Sequence, residues 1–104
     1  MAITVTALKI DEDGDAGYVL SVQNKTDAMA YVFSEEGWTL GDAKVADPVF
    51  QMEVGAGDSV EGFLWFDREE LSVDSFDELT KVSGALVAED HDTLKRIGRY
   101  PFKL

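Results

Sequence analysis

Residues 17–33 read GYVLSVQNKTDAMAYVF, and they decide the fold class. Apolar side chains at 18, 20 and 22 alternate with the residues between them, which is the period of two of a half-buried strand. Asn24-Lys-Thr-Asp27 has turn composition, and a continuous apolar run from Ala28 to Phe33 follows it. The stretch therefore predicts two strands joined by a tight turn.

The same period of two recurs on both sides of this stretch, with Gly, Asp or Asn turns about every ten residues. Within 3–10 the apolar phase changes before Leu8, which indicates a bulge or a strand that shifts between sheets. No long 3.6-residue period offers a crossover helix for a parallel sheet. We predict an all-β, antiparallel β-sandwich of seven or eight strands. A short helical turn is predicted near 67–71, where Asp67 can cap it.

Length and composition narrow the possible functions. A chain of 104 residues is expected to form one domain, 1–104. Twenty-one acidic against nine basic residues give a formal net charge of −12, which argues against nucleic acid and anionic lipid as partners. The charge suits a cationic partner, divalent ions, a high-salt habitat or plain solubility, of which solubility is the simplest.

The absence of cysteine excludes disulfides, thiolate metal sites and cysteine nucleophiles. No apolar run reaches the ~20 residues of a membrane span. If Met1 is the native start, the sequence predicts a cytoplasmic protein; otherwise it is the mature domain of an exported one. No cofactor is expected.

The acidic stretch DEDGDAG, 11–17, invites comparison with a calcium loop. Asp11, Asp13 and Asp15 match the first three ligand positions of an EF-hand, but Ala16 stands where glycine is required and Val22 where the bidentate glutamate should be. A looser calcium site on the three aspartates stays open. The dipeptide Asp13-Gly14 favours a type I′ hairpin, which is the interpretation we prefer.

A second acidic cluster, Asp90-His91-Asp92, contains the only histidine of the chain. No G-x-S-x-G nucleophile motif accompanies it, and one histidine without cysteine is atypical of a zinc site. We expect a solvated loop and no catalytic residue. The alternative is a small metal-dependent or carboxylate enzyme that uses the 11–15 or the 90–92 cluster.

An apolar pair is more suggestive of function. In the strand predicted over 60–66, Phe63 and Trp65 face away from Leu64 and Phe66, on the nominal solvent side. Exposed aromatic residues there would form a partner-binding patch. They would instead be core if the 67–79 connection covers them.

The order and spacing of three stretches resemble a known group of domains. These are residues 17–33, then VGAGDSVEGFLWFDREEL (54–71), then LTKVSGALVAEDHD (79–92). The sequence resembles small immunoglobulin-like domains of exported proteins and lipoproteins of Gram-positive gut bacteria, whose function is largely unknown. It departs from them by lacking a lipid-attachment cysteine and by having Trp38-Thr-Leu-Gly41 where an Asn-Gly turn is common.

The resemblance implies an immunoglobulin-like sandwich in an extracellular or cell-envelope protein. It also implies a non-catalytic binding or spacer role, with contact to protein or surface polymer through a sheet face or loops.

Overall fold

A computed structural model describes residues 1–69 and 76–103 of the chain. The described residues form nine strands and one short helix. In chain order these are β1 (Ala2–Ile10), β2 (Ala16–Gln23), β3 (Ala30–Ser34), β4 (Thr39–Leu40), β5 (Ala43–Lys44), β6 (Gln51–Val54), β7 (Ser59–Phe66), α1 (Phe76–Leu79), β8 (Val82–Asp90) and β9 (Arg96–Lys103). Among these residues, no helix is long and apolar enough to cross a membrane.

The strands form two antiparallel sheets. The smaller sheet has the order β1-β2-β7, and the six-stranded sheet has the order β5-β4-β8-β3-β6, with β9 also paired to β8. The predicted all-β, antiparallel, two-sheet class is therefore confirmed. The count of nine exceeds the predicted seven or eight, and β4 and β5 have only two residues each.

The predicted helical turn near 67–71 lies only partly within the described residues. There, the Asp67 carboxylate accepts the N–H of Glu69 at 2.9 Å. The helix that the structure describes begins later in the chain, at Phe76.

The predicted irregularity in β1 is a bulge. The register with β2 shifts between Val5 and Ala7, so one extra residue is inserted there. Because a strand alternates faces with a period of two, the insertion returns Leu8 and Ile10 to the core side on which Ile3 and Val5 already lie. The change of phase in the sequence thus marks a bulge that keeps one long strand in one sheet.

The core lies between the two sheets and is rich in aromatic residues. Trp38 is fully buried, with ring centroids 5.9 Å from Phe66 and 5.5 Å from Phe102. The buried Tyr18 hydroxyl donates to the carbonyl of Leu79 at 2.6 Å, which fixes α1 against β2. Burial raises the pKa of this phenol, because the charged form would lose its hydration.

Apart from the hydroxyl of Tyr18 and the indole N–H of Trp38, Asn24 has the only buried polar side chain among the described residues. Its amide nitrogen donates to the carbonyls of Ala28, at 2.8 Å, and Val54, at 3.0 Å. Its amide oxygen accepts the N–H of Thr26 at 3.0 Å and the Thr26 hydroxyl at 2.6 Å. The side chain therefore holds the turn after β2 against the end of β6.

Candidate functional site

Phe63 and Trp65 lie on the outer face of the smaller sheet, as the alternation of β7 predicts. Their neighbours Leu64 and Phe66 are buried in the core, whereas Phe63 and Trp65 are each half-buried. The Lys9 ammonium from β1 lies 5.3 Å from the centroid of the Phe63 ring, within cation–π range. Whether the 67–79 connection covers the pair falls partly outside the described residues.

Trp65 also connects this face to the segment that enters β6. Val49 and Trp65 form an antiparallel bridge, in which the Val49 N–H donates to the Trp65 carbonyl at 2.8 Å and the Trp65 N–H donates back at 3.3 Å. Directly opposed residues of an antiparallel pair project to the same side. Val49 is 50% exposed, so the outer face of the smaller sheet continues onto it.

Beyond Val49 the surface continues as an open groove on the larger sheet. Tyr31 and Phe33 of β3 line it together with Val49, and their ring centroids are 5.8 Å apart. We call the five residues Phe63, Trp65, Val49, Phe33 and Tyr31 the apolar strip. It runs from the outer face of one sheet, across the Val49–Trp65 bridge, to the outer face of the other.

Three residues of the apolar strip, Tyr31, Phe33 and Val49, were not predicted from the sequence. The signal for Tyr31 and Phe33 was present, because they alternate with Ala30 and Val32, which are fully buried. The continuous apolar run 28–33 concealed that alternation, since every residue in it suited a core. Val49 carried no local signal, because only its pairing with Trp65 places it on the strip.

Charged groups border the apolar strip. Glu61 is exposed at the next outward position of β7, and Glu89 lines the groove beside Tyr31. Glu35 accepts a 2.8 Å hydrogen bond from the Arg99 Nε on the same outer face. The strip is thus an aromatic surface bordered by carboxylates and by the two basic groups of Lys9 and Arg99.

The three aspartates of the first acidic cluster lie close together. Their ligand oxygens lie within 4.8 Å of one another, so Asp11, Asp13 and Asp15 are the side chains that could hold a metal. However, Asp11 Oδ1 accepts the N–H groups of Asp13 at 3.0 Å and Asp15 at 2.9 Å, and Asp15 Oδ1 accepts that of Arg68 at 3.0 Å. Backbone N–H groups of the turn and of Arg68 therefore account for the positions of the Asp11 and Asp15 carboxylates.

The predicted hairpin is confirmed, but its predicted turn type is wrong. The Gly14 N–H donates to the Asp11 carbonyl at 3.0 Å, and Gly14 has φ = +86°. Leu94 is the only non-glycine with positive φ in the described part of the chain, so Asp13 does not have the conformation that a type I′ turn demands. The loop instead has the three-residue form, with one left-handed glycine after a tight turn.

The second acidic cluster forms the turn between β8 and β9. Asp90 Oδ1 accepts the N–H groups of Thr93 at 3.0 Å and Asp92 at 2.9 Å, and these bonds lower the pKa of Asp90. His91 lies 3.4 Å from an Asp92 oxygen and 3.2 Å from a Glu53 oxygen, and both bonds raise its pKa. Within the described residues, the hydrogen-bond partners of the imidazole are these two carboxylates, and no hydroxyl bonds it.

No protein-family model, no curated protein and no solved structure matches the chain. The geometry of the apolar strip and of the two acidic turns is therefore the basis for a functional proposal.

Proposed function

We propose that this chain is a non-catalytic, immunoglobulin-like binding domain that contacts a protein or a surface polymer through the apolar strip. The observation that carries the proposal is the continuity of the strip across the Val49–Trp65 bridge. Aromatic side chains contribute most of the free energy at binding surfaces, and here they line the outer faces of both sheets.

The strand order supports the immunoglobulin-like assignment. Constant-type immunoglobulin domains combine strands A, B, E and D in one sheet and C, F and G in the other. Strands β1, β2 and β7 correspond to A, B and E, and β3, β8 and β9 correspond to C, F and G. The short strand β6 differs from strand D, because it pairs with β3. Among the described residues, the Val49–Trp65 bridge just before β6 is the only pairing that joins this part of the chain to the smaller sheet.

The charge distribution also supports a binding role for the strip. A formal net charge of −12 means that many charged, strongly hydrated side chains lie on the surface. Single apolar residues are common on protein surfaces, but a group of them marks an interaction site. The half-buried aromatic residues of the strip form such a group. The resemblance noted in the sequence further favours an exported or envelope protein.

The alternative, a carboxylate or metal-dependent enzyme, has less support from the same geometry. The Asp11 and Asp90 carboxylates each accept hydrogen bonds from two backbone N–H groups of their own turn, and these bonds stabilise the turns. A spacer role without ligand is what would remain if the strip bound nothing.

The proposal is tested by two-dimensional NMR titration of the protein with a panel of purified probes. The panel comprises linear synthetic peptides, peptidoglycan fragments and teichoic acid. We expect at least one probe to shift the amides of Phe63, Trp65 and Val49, and Trp65→Ala or Tyr31→Ala to weaken that binding. Leu94→Ala is the matched control, because Leu94 is 67% exposed outside the strip. Shifts confined to other surfaces, or no shift with any probe, would contradict the proposal.

A further inference from the structure

The outer edge of β7 exposes main-chain hydrogen-bonding groups. The N–H and C=O of Trp65 point away from β2, because both are bonded to Val49. Along an antiparallel strand these groups alternate in direction, so those of Phe63 and Glu61 also point away from β2. Among the described residues, Trp65 is the only one of these three positions with a strand partner on the side away from β2.

The segment before β6 pairs with the outer edge of β7 at one residue only, Val49. From Gln51 onward, β6 pairs with β3 in the larger sheet, where Gln51 lies opposite Phe33. In the described part of the chain, no strand therefore lies along Ser59–Phe63 on the side opposite β2. A strand-shaped position is left beside β7, next to Phe63 and Trp65 of the apolar strip.

The other sheet edges are blunted in ways that discourage pairing. Strand β1 has its bulge between Val5 and Ala7, and β9 has Pro101 together with a register shift opposite Ala88 and Glu89. Strand β5 has two residues and β6 has four. Short strands, bulges and prolines are the devices by which natural proteins prevent edge-to-edge association.

Strand β7 has none of these devices. Eight successive residue pairs join it to β2, from Ala16↔Phe66 to Gln23↔Ser59, without a shift of register. An edge of this length and regularity is a template for a further strand. Its outward side chains, Glu61 and Phe63, differ in chemistry and so can select what pairs with them.

We infer that a partner binds by adding an extended strand to β7, antiparallel to it, beside Glu61 and Phe63. This inference rests on the proposed binding function and specifies how the partner is held. The occupant is a peptide segment with an apolar residue opposite Phe63 and, two residues later, Lys or Arg opposite Glu61. Opposed side chains of opposite charge or of apolar character stabilise an antiparallel pair.

Charge decides against a second copy as the occupant. Two chains each with a formal net charge of −12 repel one another. A two-fold antiparallel pairing centred on Glu61 would also place two Glu61 carboxylates directly opposite each other, which is destabilising. A basic segment meets neither obstacle.

The test uses a pool of synthetic decapeptides in which Lys or Arg alternates with Val, Thr or Phe, at low ionic strength, with amide hydrogen exchange as the readout. We expect the amides of Glu61 and Phe63 to exchange rapidly in the free protein and to become protected in the complex. The amides of Gly62 and Leu64, which point towards β2, should be protected in both states.

Glu61→Pro is the sharpest variant, because it removes an N–H that faces away from β2 and so leaves the β2–β7 pairing intact. We expect it to weaken binding about tenfold or more, since a tenfold loss corresponds to the net contribution of one hydrogen bond. Glu61→Gln keeps the N–H and removes only the charge, so it should reduce the salt dependence and retain the protection. If circular dichroism shows that Glu61→Pro does not fold, strand addition is decided by amide hydrogen exchange of Glu61 and Phe63 in the wild-type complex.

The outcomes separate this inference from the proposed function. A peptide that shifts Phe63 and Trp65 while Glu61 and Phe63 amides still exchange rapidly overturns strand addition and leaves the strip as a binding face. Failure of every peptide to bind also overturns strand addition. The NMR titration with peptidoglycan fragments and teichoic acid then decides alone whether the apolar strip is a binding face. Self-association along β7, measured by analytical ultracentrifugation, would overturn the choice of occupant.

Discussion

The indole ring of Trp38 lies directly against the α-carbon of Gly84 in β8, where the β-carbon of any other residue would overlap the ring. Trp38 is fully buried, and its Nε1 donates to the Glu35 carbonyl at 2.7 Å. The glycine thus provides the space in which the largest core side chain packs. The segment between β3 and β4 is held to the larger sheet by this contact.

Gly84→Ala should therefore destabilise the fold by about 1–3 kcal/mol, because the added methyl group overpacks the core. Equilibrium denaturation in urea measures the loss. In a double-mutant cycle with Trp38→Leu, the smaller side chain should relieve most of the cost of the alanine. Additive effects of the two substitutions would show that Trp38 is not the residue that requires glycine.

Asn24→Ala should cost about 2–3 kcal/mol, because the Val54 carbonyl loses its buried hydrogen bond from the amide and the Thr26 N–H loses its acceptor. Thr6→Ala is the control, since the Thr6 hydroxyl also donates to a carbonyl, that of Val19 at 3.2 Å, but at an exposed position. We expect the control to cost less than about 0.5 kcal/mol. Equal losses for the two variants, measured by thermal or urea denaturation, would contradict the role assigned to Asn24.

Asp11→Ala should destabilise the β1–β2 hairpin by about 1 kcal/mol, since the N–H groups of Asp13 and Asp15 lose their acceptor. Asp11→Asn retains an acceptor oxygen and should cost less. If the aspartates serve the turn alone, millimolar calcium should raise the melting temperature no more than magnesium does. A calcium-specific rise, abolished by Asp11→Asn, would instead establish a metal site by mass action.

The alternation of residues was enough to predict the fold class, and one change of phase at Leu8 was enough to predict an irregularity in β1, a bulge or a shift between sheets, of which the structure has the bulge. Both are local signals, because a strand's two faces repeat every two residues whatever lies opposite. The hairpin at Gly14 was also predictable. Its turn type was not, because the Asp11 carboxylate stabilises the loop from outside the dipeptide that defines a type I′ turn.

The apolar strip was only half predictable for a related reason. Phe63 and Trp65 are conspicuous because they are apolar at outward positions of β7, where polar residues are expected. Tyr31 and Phe33 are not conspicuous, because they belong to a continuous apolar run. The rest depends on pairing between distant segments. Val49 bridges to Trp65 and the following strand, β6, joins β3, and no local pattern in the sequence predicts either pairing.

Two phenylalanines of the same strand provide a test of the strip by stability alone. Phe66 is 1% exposed in the core, and its truncation to alanine should cost about 3–5 kcal/mol. Phe63 is half-buried on the outer face, so Phe63→Ala should cost about 1 kcal/mol. Urea denaturation of both variants makes the comparison. Equal losses of several kcal/mol would show that Phe63 belongs to a second core and is not part of a contact surface.

Two groups in the turn between β8 and β9, His91 and Asp90, should make the stability of the fold depend on pH. Bonds to Asp92 and Glu53 raise the pKa of His91 above its ordinary 6.5, so its stabilising effect is complete below 6.5 and is lost as the pH rises through the folded-state pKa. Backbone bonds lower the pKa of Asp90 below 3.8, so its effect is complete above 3.8 and is lost as the pH falls through the folded-state pKa. Both effects are present together between these two ordinary values. NMR titration should show that Asp92→Asn and Glu53→Gln each lower the pKa of His91, whereas a wild-type His91 titrating at or below 6.5 would refute the assigned contacts.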